Sequence, residues 1–188
     1  MYEVRIHGRG GQGVVTTAEL LSVAAFLEDR QAQAFPTFGS ERTGAPVVGF
    51  CRIDDHPIRS HEPIAAPDAV LVQDATLIHQ PDVLAGLRPD GCLLVNTSRS
   101  PTDLGLVAFG RRVLTVPATE LAITHLGRPL PGAVLLGAFA ALTGQVRVES
   151  VVAAVWQRFS GTVAAGNVAA IREAYDRSLE EVGHAVTD

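Results

Sequence analysis

The chain has 188 residues, 47% hydrophobic and 19% charged, enough for one domain spanning 1–188 with a substantial core. Its 15 basic and 20 acidic residues give a net charge of −5 with no basic tract, which argues against nucleic acid as a partner. No apolar run reaches transmembrane length, and two cysteines are too few for a disulfide framework, a zinc ribbon or a four-cysteine iron–sulfur cluster.

Tyr2, Val4 and Ile6 alternate with Glu3, Arg5 and His7, which predicts a strand. A start on a strand rather than a signal peptide predicts a cytoplasmic protein. Gly8, Gly10, Gly11 and Gly13 then fall within six residues, and from Val14 the apolar period becomes helical, through Ala18, Leu21 and Ala25. A strand that turns through glycines into a helix start exposes backbone N–H groups at the positive end of the helix dipole, an arrangement suited to phosphate. Gly8, Gly10 and Gly13 formally match the dinucleotide fingerprint. Its acidic partner about 20 residues on is missing, because Glu28 and Asp29 come too early. No Lys-Ser or Lys-Thr completes a P-loop. A bound anion and a purely structural turn both remain open for this motif.

The first helix is predicted to run from Val14 to about Glu28, and Gln31 to Phe35 reads as a second strand. Pro36 to Pro46, PTFGSERTGAP, has two prolines and two glycines and so forms a loop. It carries Glu41 beside Arg42, whose guanidinium suits phosphate or carboxylate. Val47 to Ile53 is a strand. Asp54 to Pro57 is a turn, and Pro57 to Arg59 is expected to return as the second arm of a β-hairpin. Ala69 to Gln73 and Cys92 to Asn96 are continuous apolar runs, as in parallel strands buried on both faces. Between them a helix capped by Asp74 or Thr76 is expected to reach about Leu87. Arg112 to Val116 is a further strand, and Ala118 to Leu126 a short helix. Ala133 to Leu142 is apolar all round, hence a buried helix. Gly137 inside it costs about 1 kcal/mol against alanine, which close backbone packing would explain. Glu149 to Phe159 is amphipathic, with Val152, Val155, Trp156 and Phe159 on one face, and Val163 to Val182 is the last helix, with Asn167 in its early turns. Cys51 and Cys92 lie in apolar strands and read as reduced core residues, while His56 and His61 read as solvated loop residues.

The alternation predicts an α/β fold, Rossmann-like, with a largely parallel sheet, helices on both faces and an added β-hairpin. Ligands in such sheets bind beyond the carboxyl ends of the strands, which puts the glycine turn and the Pro36–Pro46 loop on one rim. Nothing in the chain assembles catalytic residues or metal ligands.

HGRGGQGVVTTAELLSVAA followed by AQAFPTFGSERTGAPVVGFCRIDDHPIR resembles the gamma subunit, or gamma domain, of pyruvate:ferredoxin and related 2-oxoacid:acceptor oxidoreductases. PDAVLVQDATL, VLLGAFAALTG and GNVAAIREAY extend the resemblance over nearly the whole chain. GGQG alone is shared with the indolepyruvate branch, but the second loop is not, which favours the pyruvate or 2-oxoisovalerate branch over indolepyruvate or aryl-glyoxylate. The resemblance implies a subunit that is inert by itself, assembled with alpha, beta and ferredoxin-like delta subunits. Such complexes decarboxylate a 2-oxoacid on thiamine diphosphate with Mg2+, pass electrons through [4Fe-4S] clusters to ferredoxin and release an acyl-CoA. The gamma part carries neither thiamine nor clusters and is implicated in handling coenzyme A. On this chain that gives Gly8, Gly10, Gly11, Gln12 and Gly13 a role in an anion site, with Gly39, Ser40, Glu41, Arg42 and Thr43 on the facing loop. Two departures from the family pattern are Leu130-Pro131-Gly132, where a polar or asparagine-bearing helix start is expected, and Thr162, where lysine is common. Two other classes compete: a stand-alone NAD(P)-dependent oxidoreductase, which must bind NAD(H), and a regulatory small-ligand module, which needs no partner subunits.

Overall fold

In the computed structural model, which describes residues 1–36, 43–106 and 112–185, the alternating segment at the start is β1, Tyr2–Arg9. It leads into α1, Val14–Phe26, then β2, Gln31–Pro36, and β3, Pro46–Asp54. The apolar runs are β4, Ala69–Val72, and β5, Cys92–Asn96, followed by β6, Arg112–Val116. The sheet order is β2-β3-β1-β4-β5-β6. β1, β4, β5 and β6 are parallel, while β3 runs antiparallel to both β1 and β2.

The antiparallel addition is therefore present but built differently from expectation. β2 and β3 form it, and Pro57–Arg59 is not a strand. The reason is topological. β3 already has a neighbour on each edge, so no ladder remains for a returning arm, and Pro57 lacks an N–H to donate. Residues 60–64 are held instead by buried arginines of the sheet. Arg52 donates to Ser60 O and Glu62 O, and Arg5 to Ile64 O.

The helices pack mostly on one face. They are α1 and four later ones: α3, Ala118–Leu126, α4, Gly132–Thr143, α5, Val148–Arg158, and α6, Gly161–Ala185. Val4, Ile6, Cys51, Ile53, Leu71, Leu94 and Leu114 face them, fully or almost fully buried. The other face, with Val70, Val72, Leu93 and Val95, is covered more thinly, by a 3-10 turn at Ala75–Leu77, by α2, Pro81–Leu84, and by Leu104 and Leu106. The single helix expected between Asp74 and Leu87 is thus two short pieces. Pro81 cannot donate within a continuous helix and starts α2 afresh. Asp74 does cap, accepting from Thr76 N at 3.0 Å.

In α5 the expected stripe is displaced. Val148, Val151, Ala154 and Val155 are buried, but Trp156 is half-exposed. Both cysteines are free and buried. No helix among the described residues is long and apolar enough to cross a membrane.

Arg5 and His7 point to the thin face, where Arg5 Nε donates to His7 Nε2 at 3.0 Å. That ring nitrogen must be unprotonated, and burial, reinforced by the Arg5 charge, pulls the His7 pKa from 6.5 down to about 4. Between those values the unfolded chain binds a proton that the folded chain refuses, so stability falls as pH drops from about 6.5 toward 4. The shift corresponds to about 3 kcal/mol at most. His7→Gln keeps an acceptor for Arg5 and does not titrate. Urea midpoints at pH 7 and pH 4.5 should therefore fall less in His7→Gln than in the parent, and equal falls would remove His7 as the cause.

Candidate ligand site at the carboxyl ends of the strands

β1 connects through α1 toward β2 and β3, whereas its neighbour β4 connects to β5 on the other side. The carboxyl ends of β1 and β4 therefore flank a topological switch point, where α/β sheets place their ligands. The glycine turn lies here. Gly11 and Gly13 have φ of +95° and +75°, conformations that side chains bearing a Cβ adopt poorly, and Gly13 is the N-cap of α1. Gly8 has a packing role, since a Cβ there would sit 2.6 Å from a Val14 methyl. Gly10 N donates to Ala45 O at 2.8 Å, and Gly44 N donates to Gly10 O at 3.1 Å. The turn is therefore zipped to the end of the β2–β3 loop. Thr43 lies beside this zipper and is exposed. Gly39, Ser40, Glu41 and Arg42 lie outside the described residues.

Side chains close the switch point itself. Arg9 Nε donates to Asp74 Oδ2 at 2.9 Å, and another Arg9 nitrogen donates to Thr76 Oγ1 at 2.8 Å. Gln12 Oε1 accepts from Arg9 N at 2.7 Å, and Gln12 Nε2 donates to Asp74 at 3.3 Å. Burial alone raises the Asp74 pKa, but hydrogen bonds from Thr76 and Arg9 outweigh it and hold the carboxyl below its usual range. Behind this latch Gln73, 1% exposed, donates to Thr17 Oγ1 at 2.7 Å. Thr17 in turn donates to Gly13 O.

The open space is on the helix side of the turn. A cleft of about 480 Å³ is walled by Gln12, Gly13, Thr16, Thr17 and Leu20 of the turn and α1, by His125 to Ala133 around the α3–α4 connection, and by Arg158 to Asn167 at the α5–α6 junction. The first turns of α1, α4 and α6 all line it, each offering N–H groups without intrahelical partners. Arg128 and Arg158 add two full positive charges, and Arg158 lies 5.5 Å from the Phe159 ring centroid. Leu126, Leu130, Phe159 and Val163 make the remaining wall apolar. His125 at the mouth is 2.6 Å from Glu173, and hydrogen bonding from His125 lowers the Glu173 pKa. The chemistry is that of a receptor for an anion with an apolar body.

Of the described residues expected to bind, Gln12 and Gly13 line this cleft, while Gly10, Gly11 and Gly13 border a shallower hollow of about 300 Å³ beside Arg9 and Val47. Sequence reading missed Arg128, Arg158, Thr17 and Asn167. A signal existed: each arginine precedes a helix-starting glycine by three or four residues, Arg128 before Gly132 and Arg158 before Gly161. Both departures from the family pattern, Leu130–Gly132 and Thr162, fall on the cleft wall.

Comparison with known proteins identifies the family. Residues 3–177 match the family model described as pyruvate ferredoxin/flavodoxin oxidoreductase. The pyruvate synthase subunit PorC of Methanosarcina barkeri is 53% identical over 151 residues, 80% of this chain and 82% of that one. The pyruvate/ketoisovalerate oxidoreductases common subunit gamma of Pyrococcus abyssi is 46% identical over 180 residues, 95% of this chain and 97% of that one. The crystal structure of the pyruvate oxidoreductase subunit PORC of Thermotoga maritima superposes with a TM-score of 0.83 at 36% identity, covering 93% of this chain and 95% of that one. The chain belongs to the pyruvate ferredoxin/flavodoxin oxidoreductase family, as a gamma-type subunit of a 2-oxoacid oxidoreductase complex.

Proposed function

We propose that this chain is the non-catalytic, coenzyme A-handling subunit of a complex that oxidatively decarboxylates pyruvate or 2-oxoisovalerate to the acyl-CoA and passes the electrons to ferredoxin. The observation that carries the reading is the cleft between α1, the α3–α4 connection and the α5–α6 junction, with Arg128 and Arg158 beside three helix starts. Coenzyme A has the matching chemistry: a diphosphate and a 3′-phosphate for the cationic side, and an adenine and pantetheine arm for the apolar wall. The names of the relatives, pyruvate synthase and pyruvate/ketoisovalerate oxidoreductase, support the substrate class.

This chain's residues do not fit the other groups of the reaction. Cys51 and Cys92 are buried on different strands, and no three His, Cys, Asp or Glu among the described residues are placed to hold a metal. Thiamine diphosphate with Mg2+ and the [4Fe-4S] clusters are accordingly assigned to alpha, beta and delta partners in the cytoplasm. The gamma chain's part is to hold the phosphates through guanidinium and backbone N–H groups and to cover the apolar arm from water.

Trp156 is the only tryptophan, half-exposed and two residues from Arg158, so its fluorescence should report binding. Arg158→Ala should weaken coenzyme A binding by about tenfold, the usual weight of a charge-assisted hydrogen bond. In the assembled complex it should raise KM for coenzyme A while sparing kcat. Unchanged binding and KM in an Arg128→Ala/Arg158→Ala double variant would remove the cleft from the reading.

A further inference from the structure

We infer that His125 takes the proton of the coenzyme A thiol, so that the chain presents its ligand as the nucleophilic thiolate. The inference rests on the coenzyme A reading above and adds a proton acceptor to it. Among the described residues that line the cleft, His125 is the one suited to take up a proton near neutral pH. The rest are glycines, arginines, amides, hydroxyls and apolar side chains. Its neighbours prepare the ring for this task. His125 Nε2 lies 2.6 Å from Glu173 Oε2, and Arg177 donates to the other oxygen of the same carboxylate. Hydrogen bonds from His125 and Arg177 outweigh burial and hold the Glu173 carboxyl below its usual range, so it is an ionised acceptor. A carboxylate without a proton cannot donate, so the imidazole hydrogen sits on Nε2 and the lone pair on Nδ1. No hydrogen bond within the described residues reaches Nδ1.

A base held by a carboxylate that is itself held is the arrangement that activates a nucleophile. His125 also stands in the last turn of α3, where the negative end of the helix dipole favours the imidazolium, as Glu173 does. The other charges around it are Arg177 on α6, Arg128 on the α3–α4 connection and Arg158 on the cleft wall, and positive charge in the cleft favours the thiolate. In the reading above another subunit holds the acyl group. The sulfur must then face the mouth, where His125 stands, while the phosphates lie inward against Arg158 and the helix starts. Thiolate, not thiol, attacks the acyl carbon. The S–H bond breaks, its proton joins Nδ1, and the electron pair stays on sulfur. Once the thioester has formed on the partner subunit, His125 returns the proton to water.

The test is an NMR titration of coenzyme A, isotopically labelled at the carbon bonded to sulfur, bound to the full-length chain. The shift of that carbon follows ionisation of the thiol whether or not solvent reaches it. The bound thiol is expected to ionise about one pH unit below the free one, which gives about tenfold more thiolate near pH 7. His125→Gln keeps an N–H for Glu173 but offers no base, so it should undo most of that shift. Its coenzyme A affinity should be unchanged, which also shows that the variant is folded. His125→Asn replaces it if glutamine does not fit. In the assembled complex the variant should lower kcat/KM for coenzyme A about tenfold near pH 7, with the loss shrinking as pH rises and the thiol ionises unaided. The same ionisation midpoint in parent and variant, with coenzyme A bound to both, overturns the role of His125 and leaves the cleft standing. Absence of coenzyme A binding by the parent chain overturns both.

Discussion

Gly137→Ala is expected to destabilise the protein by about 3 kcal/mol, and Gly137→Leu to abolish folding, although alanine is the better helix former. On propensity alone the alanine variant would gain about 1 kcal/mol. Packing decides the sign. A Cβ at Gly137 would overlap Ile171 O, and Ile171 C would follow at 3.1 Å, so α6 backbone rather than a yielding side chain blocks it. α4 cannot shift away, because Val134, Leu135, Leu136, Ala138 and Phe139 are buried on every side of it. Overpacking typically costs 1–3 kcal/mol, with more expected when backbone must move, against a total stability of about 5–15 kcal/mol. For a chain of this length that is a fall in Tm of about 10 °C. Gly183 is the control, since a Cβ there meets nothing within 4 Å among the described residues and Gly183→Ala should raise Tm slightly. A Tm at or above the parent's in Gly137→Ala would show that the α4–α6 contact is looser than this.

The same glycine shows how much was legible in the sequence. An all-apolar helix interrupted by one glycine predicted close packing, because no other cause for the cost was at hand. The strands and their order along the chain followed from apolar runs and turn residues. Strand pairing did not, since it depends on which edges remain free: Pro57–Arg59 has strand-like neighbours but finds β3 flanked on both sides. Trp156 was misplaced for a related reason, as periodicity marks an apolar stripe on α5 but not where the partner helices stop covering it. The glycine turn announced a helix start with free N–H groups, and the structure confirms that geometry. The cleft was hidden because its walls come from residues 12–20, 125–133 and 158–167, which only the packing of α1, α4 and α6 brings together. Arginines ahead of helix-starting glycines were present in the string, but charge near a turn reads as a solvated surface until a second wall faces it.

Replacing Arg5 should be the most damaging change on the thin face of the sheet. Its guanidinium donates to Ile64 O at 3.4 Å, Asp82 O at 3.2 Å, Val83 O at 3.0 Å and Ala85 O at 2.6 Å, besides the bond to His7. Three of those carbonyls belong to the end of α2, a helix too short to satisfy its own backbone, and the fourth to the 60–64 segment. One side chain thus holds two connections that have little secondary structure of their own against β1 and β4. Arg5→Met has the stem but no donor, and it leaves these carbonyls unpaired beside Val70, Val72 and Val83. Each unsatisfied buried group costs about 1–3 kcal/mol, and partial opening to water relieves some of it, so a net loss of about 4 kcal/mol is expected. Arg5→Lys retains the charge but places its donors on a single atom, which cannot span α2 and residue 64 together, and should recover less than half of the loss. Exposed pairs such as Arg30–Asp55 make the comparison, since loss of one typically costs under about 1 kcal/mol. Hydrogen exchange locates the effect. In Arg5→Lys, protection should fall first across residues 60–87 while α4 and α6 stay protected, because their core lies on the other side of the sheet. Uniform loss across both faces would mean that Arg5 supports the sheet as a whole rather than pinning its thin cover. If Arg5→Lys and Arg5→Met both stay within 1 kcal/mol of the parent, water replaces the guanidinium and the pinning argument fails.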